Sequence, residues 1–405
     1  ALYVYLSLFY PTALFVAGPI LFLWLIAPFI SWYVSKPLVK QVAELSESQI
    51  NFLQKQARKT WAFFEEFVNE KENWLPPDNY QEVPVNVVAH RTSPTNIGLS
   101  LLANLAANDF GYITVGEFID RSAATFNTLK SMERYQGHFY NWYDTQTLKP
   151  LWPRYISTVD SGNFAGHLLT LRQGILAFLH QPVITPKILH GIRDTLQVLM
   201  EVNNKKDVLL DEKIILGLEK VAVLSPATLD ELKTILQELS IEFTTYDDPQ
   251  YSITDNQINW WKKALSNQIK KCMDEFRALA PWLFLPEMSA KFKDIVSACE
   301  IPTVEELIAI NKLIIEEINK QNGIDITPAP WLNKFQETTI LANEYITRRK
   351  HDLEQLAQHC NDYAEMEYDF LYNKNKNLLT IGYNIEEHKA DLSYYDLLAS
   401  EARLS

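Results

Sequence analysis

The chain has 405 residues, 47% of them hydrophobic, which is enough for one large domain with an accessory segment. Its formal net charge of −13, with no Lys/Arg cluster to interrupt it, would repel a phosphate backbone, so nucleic acid is excluded as a partner while a neutral glycan is not. Only 12 Gly are present and neither GxGxxG nor GxxxxGK(S/T) occurs, so nucleotide binding through those loops has no support and no cofactor is expected.

In chain order, residues 1–35 carry no charged side chain. About 20 apolar residues span a bilayer, so one membrane helix is expected around 12–34, within a membrane segment set at 1–36. Pro11, Pro19 and Pro28 offer the alternative of a kinked or re-entrant piece. Lys36 and Lys40 follow directly and place the downstream part on the cytoplasmic side. A linking and packing helix over 37–71 presents Phe52, Trp61, Phe63, Phe64 and Phe67. Ser93-Pro94 reads as an N-cap with Pro at the first helical position, opening a helix through Ile97, Leu101, Leu102 and Leu105. Thr114 with Glu117 is a capping box for a helix ending near Met132, and Ser161 is expected to cap one through Leu168, Leu171 and Ile175.

From 185 to 365 the chemistry thins into structural helices, with capping boxes at Thr228/Glu231 and Thr303/Glu306. The stretch 240–300 reads as loop-broken and acidic, with Trp260, Trp261 and Trp282 covering the core. Cys272, Cys299 and Cys360 are odd in number and widely spaced, which suits reduced, buried thiols. The polar-aromatic style returns over 378–405, where Tyr394, Tyr395, Asp396 and Glu401 read as one helix in the middle of which the chain stops, and the absence of an initiating Met gives the expectation of a fragment.

Three segments between these helical patterns are dense in Asp, Asn, Arg, His, Tyr and Trp: ENWLPPDNYQ (72–81), AHRTSPTNIG (89–98), and GHFYNWYDT with STVDSGNFAGH (137–145, 157–167). Aromatic faces cover the C–H faces of a pyranose, while carboxylates, amides and guanidinium groups bond its hydroxyls, so this mixture reads as the lining of a sugar site. Its candidates are Trp74, Asp78, Asn79, His90, Arg91, Thr92, His138, Tyr140, Asn141, Trp142, Asp144, Asp160 and Asn163, joined near the end by Tyr394, Tyr395 and Asp396. Each has a plainer reading. The Asp residues also suit N-caps and turns, the His residues satisfied structural positions, and Arg91 an anchor for one of the Asp residues. No HExxH or comparable spacing supports a metal site. Glu401 beside the aromatic cluster is either a carboxylic acid with a raised pKa or a surface helix residue.

These strings, with DFGYIT (109–114) and the closing IGYN and SYYDLLASEARL, resemble the central glucoamylase-like cyclisation domain of cyclic β-1,2-glucan synthases, large bacterial inner-membrane enzymes. The resemblance is dense over 72–175 and 365–405. It implies an all-α (α/α)6-barrel over 72–405, incomplete at its C-terminus, with a helical accessory stretch at about 185–365 and one transmembrane helix ahead of it. It also implies a glycosyltransferase domain before this domain and a phosphorylase-like domain after it in the parent chain. The implied reaction is transglycosylation of a linear β-1,2-glucan, in which the chain's own distal end replaces water and closes a ring. Such chemistry uses two carboxylates; Glu401 matches the family's SEARL glutamate, and its partner is expected beyond Ser405. Two rivals stand beside this reading: an endo-β-1,2-glucanase-type hydrolase, and a silent glycan-holding module in which Glu401 is dispensable.

Overall fold

The computed structural model describes residues 2–35, 45–204, 208–222, 226, 228–243, 256–285, 301–322 and 330–394. Tyr395, Asp396, Glu401 and the expected closing helix lie outside the described residues, as do Cys299 and Lys36 with Lys40. The chain divides into two compact units, 1–50 and 51–405.

The first unit holds α1 (Leu2–Phe9) and α2 (Leu14–Val34). With the 3-10 turn before it, α2 forms a continuous apolar stretch, Pro11–Val34, that is long and apolar enough to cross a membrane and has none of its hydrophobic window buried within the protein. Leu25 and Phe15, for instance, are 76% and 86% exposed. The helix continues through Pro19 and Pro28, so neither proline divides it.

In the second unit the helices are α3 (Glu47–Phe67, whose first residues belong to the first unit), α4 (Pro94–Asp109), α5 (Val115–Ser131), α6 (Thr158–Phe178), α7 (Lys187–Asn203), α8 (Val208–Ala222), α9 (Leu229–Phe243), α10 (Asn256–Leu279), α11 (Val304–Asn322) and α12 (Pro330–Ala364). The all-α expectation is met: strands among the described residues are two or three residues long. α6 packs between α4 and α12, α10 packs on α7, α9 and α12, and α8 lies across α7 and α9. Within 240–300, residues 256–279 differ from the loop-broken reading, because α10 is a 24-residue helix burying Ile258, Trp261, Leu265, Ile269, Met273 and Phe276 at three- and four-residue spacing. Trp282 is 1% exposed, as a core-covering residue should be.

Two apolar cores result, one built from α3–α6 and the hairpin segments, the other from α7–α11. The 35-residue α12 serves both, with Phe335 and Ile346 in one and Leu353, Leu356 and Cys360 in the other. Beside it Arg349 meets Glu275 of α10 at 2.6 Å, both almost wholly buried, and the Gly116 N–H of α5 donates to the same carboxylate at 2.9 Å. Gly111, in the turn between α4 and α5, has φ +76° and lies against the α7 backbone at Lys187 and Gly191; a Cβ on either glycine would stand 2.0 Å from a carbonyl oxygen.

Helix starts follow local chemistry. The Ser93 hydroxyl accepts from the Asn96 N–H and the Thr114 hydroxyl from the Glu117 N–H, as expected. Thr303 and Glu306 form a reciprocal capping box. α6 corrects the reading: it opens at Thr158 with Ser157 as its cap, and Ser161 lies inside the helix.

Candidate functional site

The polar-aromatic strings meet where α4 and α6 begin. The strand Arg91–Thr92 pairs with Tyr143–Asp144 in antiparallel register, which brings the loop ahead of α4 onto the loop ahead of α6. Tyr155–Ser157, leading directly into α6, pairs with Gly382–Asn384, which pairs in turn with Lys389–Ala390. The polar-aromatic stretch near the end of the chain is therefore a hairpin over 382–390, ahead of the expected closing helix.

From this frame one continuous network extends. Asp78 Oδ2 accepts from Arg91 Nε at 3.2 Å and Nη2 at 3.0 Å, while its Oδ1 accepts from Asn96 on the first turn of α4 at 3.2 Å. The Arg91 guanidinium lies 4.9 Å from the Trp142 ring centroid, a cation–π contact. With the Asn141 amide oriented by its neighbours, its nitrogen donates to Asp160 Oδ2 at 2.9 Å and its oxygen accepts from Trp142 Nε1 at 3.3 Å. Thr95 donates to Asp160 Oδ1 at 2.6 Å, and Asn163 donates to Thr95 at 3.3 Å. Asp78, Arg91, Asn141, Trp142, Asp160 and Asn163 thus share one surface, and Asn79, exposed, donates to Asp78 at 3.1 Å.

A second cluster adjoins the first through His90, the chain neighbour of Arg91. Glu72, 5% exposed, accepts from His90 Nδ1 at 2.9 Å and from the Thr145 hydroxyl and the Gln146 amide. Burial raises its pKa, but these three donors together hold it below the usual carboxylate range. Glu72, Thr95 and Asn96 were not singled out from the sequence. Thr95 and Asn96 lie within AHRTSPTNIG, where their place just after the Ser93 cap was the available signal; for Glu72 the sequence carried none beyond its string.

Several candidates fall outside the surface. His138 is wholly buried: Nε2 donates to the Glu367 carbonyl at 2.7 Å, which leaves Nδ1 to accept from Ser161 at 2.8 Å. Burial lowers its pKa, so it is a neutral structural histidine locking the loop to α6. Thr92, 0% exposed, and Tyr140, 3%, are likewise enclosed. Burial and a hydrogen bond to Glu133 push the Tyr140 phenol up to about 12. Asp144 is a turn former, its Oδ1 taking the Gln146 and Thr147 N–H groups, and despite some burial these bonds hold its pKa down. Trp74 lies over Arg121 at 5.7 Å, in a cavity of about 400 Å³ that it shares with Asp120 and Lys271 rather than with Trp142. Tyr394 bonds Asn373 through its hydroxyl at 2.8 Å and carries Lys376 over its ring. Among the described residues no group of three or more His, Cys, Asp or Glu could hold a metal ion.

No family model matches the chain. It is 31% identical over 398 residues, 96% of its length, to the cyclic beta-(1,2)-glucan synthase NdvB of Rhizobium meliloti (strain 1021), of which it spans 12%. A solved protein from Bacteroides fragilis NCTC 9343, provisionally assigned as a glucoamylase, aligns with 46% of this chain and 37% of its own at 14% identity and a TM-score of 0.23, a likeness too slight to bear on the fold. Identity at this level over nearly the whole chain makes it a homologue of one segment of the cyclic β-(1,2)-glucan synthase.

Proposed function

We propose that the chain is the transglycosylating part of a larger membrane-bound synthase that converts linear β-1,2-glucan into cyclic β-1,2-glucan. The observation that supports it most is the Asp78–Arg91–Trp142–Asn141–Asp160 network, on a chain homologous to such a synthase. Partly exposed Trp142 offers an aromatic surface to the C–H face of a glucose unit, and Arg91, Asn141 and Asn163 offer donors to its hydroxyls. Asp78 and Asp160 already accept from two or more donors each, so their part is to orient the site.

That group is Glu401, acting with a second carboxylate. As the glycosidic bond breaks, one carboxylic acid gives its proton to the leaving oxygen. The other carboxylate acts as nucleophile or base, and a hydroxyl at the far end of the same glucan then forms the new bond in place of water. α2 anchors the parent in the bacterial inner membrane; Lys36 and Lys40, just after it, keep the globular part in the cytoplasm. The glycosyltransferase domain of the same parent supplies the linear chain, and a phosphorylase-like domain follows.

The test is Glu401→Gln in the complete parent protein. The swap keeps shape and much of the hydrogen bonding but removes the titratable carboxyl, so ring closure should fall by about 10²–10⁴-fold while binding of linear glucan persists. Near-normal cyclic product would overturn the role of Glu401 and favour a silent binding module. Linear products in place of rings from the unaltered parent would favour the hydrolase.

A further inference from the structure

We infer that a second glycan-holding groove lies between α3 and the start of α10 and carries the extended part of the same β-1,2-glucan chain; this rests on the function proposed above. The groove has a volume of about 1160 Å³. Ligand pockets for drug-sized molecules hold about 300–1,000 Å³, so there is room for several sugar units.

Its walls are aromatic. Phe63 and Phe67 of α3 and Tyr80 of the loop ahead of α4 form a run of ring contacts at 5.2 and 4.9 Å, and Trp260 faces the same space, packed edge-on against Trp261 at 4.8 Å. The Trp260 Nε1–H donates to Glu66 Oε2 at 2.7 Å, which fixes the plane of the indole before any ligand arrives. An aromatic held in this way meets the C–H face of a pyranose without losing further side-chain freedom.

The rim selects the chemistry. Among the described residues, Glu66, Asp78, Glu82 and Glu201 line the groove beside Lys59, whose ammonium is 2.6 Å from Glu201, a carboxylate that Lys55 also reaches at 2.7 Å. A phosphate or any other polyanion is repelled by this balance, whereas a neutral chain of hydroxyls finds acceptors along it together with the Asn79 and Asn256 amides. Asp78 makes the groove continuous with the network, because it lines the groove while its carboxylate holds Arg91. One chain can therefore lie across both, a few units over Trp142 and the remainder along α3.

The experiment compares linear β-1,2-glucan of about twenty units with its disaccharide, sophorose, titrated calorimetrically against the full chain in detergent. Trp260→Ala should weaken the long glucan roughly tenfold, on the order of one lost aromatic–sugar contact, and leave sophorose unchanged. Trp142→Ala should weaken both. Glu82→Lys, at an exposed rim position, should also weaken the long chain only and guards against a folding defect at Trp260. Unchanged long-chain affinity in both groove variants, with loss in Trp142→Ala, overturns the groove and leaves the proposed function standing. Loss in the groove variants with Trp142→Ala unaffected supports the groove and removes the network from the function. An unaltered chain that binds neither ligand overturns both.

Discussion

Arg91 gives the sharpest test of the network, because its energetic weight in folding and in binding should differ. Its side chain is 51% exposed and that of its partner Asp78 is 20% exposed. An ion pair in such surroundings contributes about 0.2–1 kcal/mol to stability, and an exposed cation–π contact such as that with Trp142 contributes roughly 0.5–1 kcal/mol. Arg91→Ala should therefore cost less than about 2 kcal/mol of unfolding free energy, a small part of the total for a protein of this size. Binding should suffer more. The guanidinium packs on the Trp142 ring and occupies Asp78 Oδ2; without it the indole keeps only its Nε1–H bond to Asn141 and the ligand must supply the remaining order, which loses roughly ten- to a hundredfold in affinity for β-1,2-glucan. Arg91→Lys should fall between, since an ammonium keeps the charge but neither the planar stack nor the paired Nε and Nη2 donors. The assay is glucan titration beside a urea unfolding curve for each variant, at 0.05 and 0.5 M salt. Unchanged affinity in a folded Arg91→Ala chain would refute the network as a sugar site, and wholesale unfolding would refute the small folding term.

Three further outcomes are expected. Arg349→Met leaves the Glu275 carboxylate buried without its cation and should cost about 3–5 kcal/mol, whereas Arg349→Met with Glu275→Leu should recover much of it, as read from urea midpoints. His138 has its folded pKa lowered by burial, so the unfolded chain takes up the proton first: its contribution is intact above the ordinary histidine value of about 6.5 and is lost as pH falls below it. His138→Gln should flatten stability between pH 7 and 5 relative to the parent, and an unaltered slope would place the effect on other groups. Gly166→Ala on the exposed side of α6, where an added Cβ meets nothing within 4 Å, should stabilise by about 0.5–1 kcal/mol in the same measurement.

Local rules made the ends of several helices and the outer strings legible. Ser93-Pro94, Thr114 and Thr303 with Glu306 cap helices where short-range hydrogen bonding requires, and the uncharged run before residue 36 is a helix of membrane-crossing length and composition. Where the pattern was local but the partner distant, the reading slipped. Ser161 looks like a cap but is drawn into α6 because Ser157 fills that role, freeing its hydroxyl for His138. The α10 helix was missed because acidic and polar residues on its outer face masked the buried spacing of Ile258, Leu265, Ile269 and Phe276.

The sequence by itself determined that this is a mostly helical chain with an apolar leading helix and loop strings dense in polar and aromatic side chains, because periodicity, capping and side-chain chemistry act within a few residues. Only the tertiary structure decided which members of that set share a surface. Pairing of Arg91–Thr92 with Tyr143–Asp144 turns Arg91, Trp142 and Asp160 into one network, while the same packing encloses His138, Thr92 and Tyr140 and sends Trp74 to Arg121. A residue's type states which bonds it can make, and burial together with long-range register decides which of them a ligand is left to satisfy.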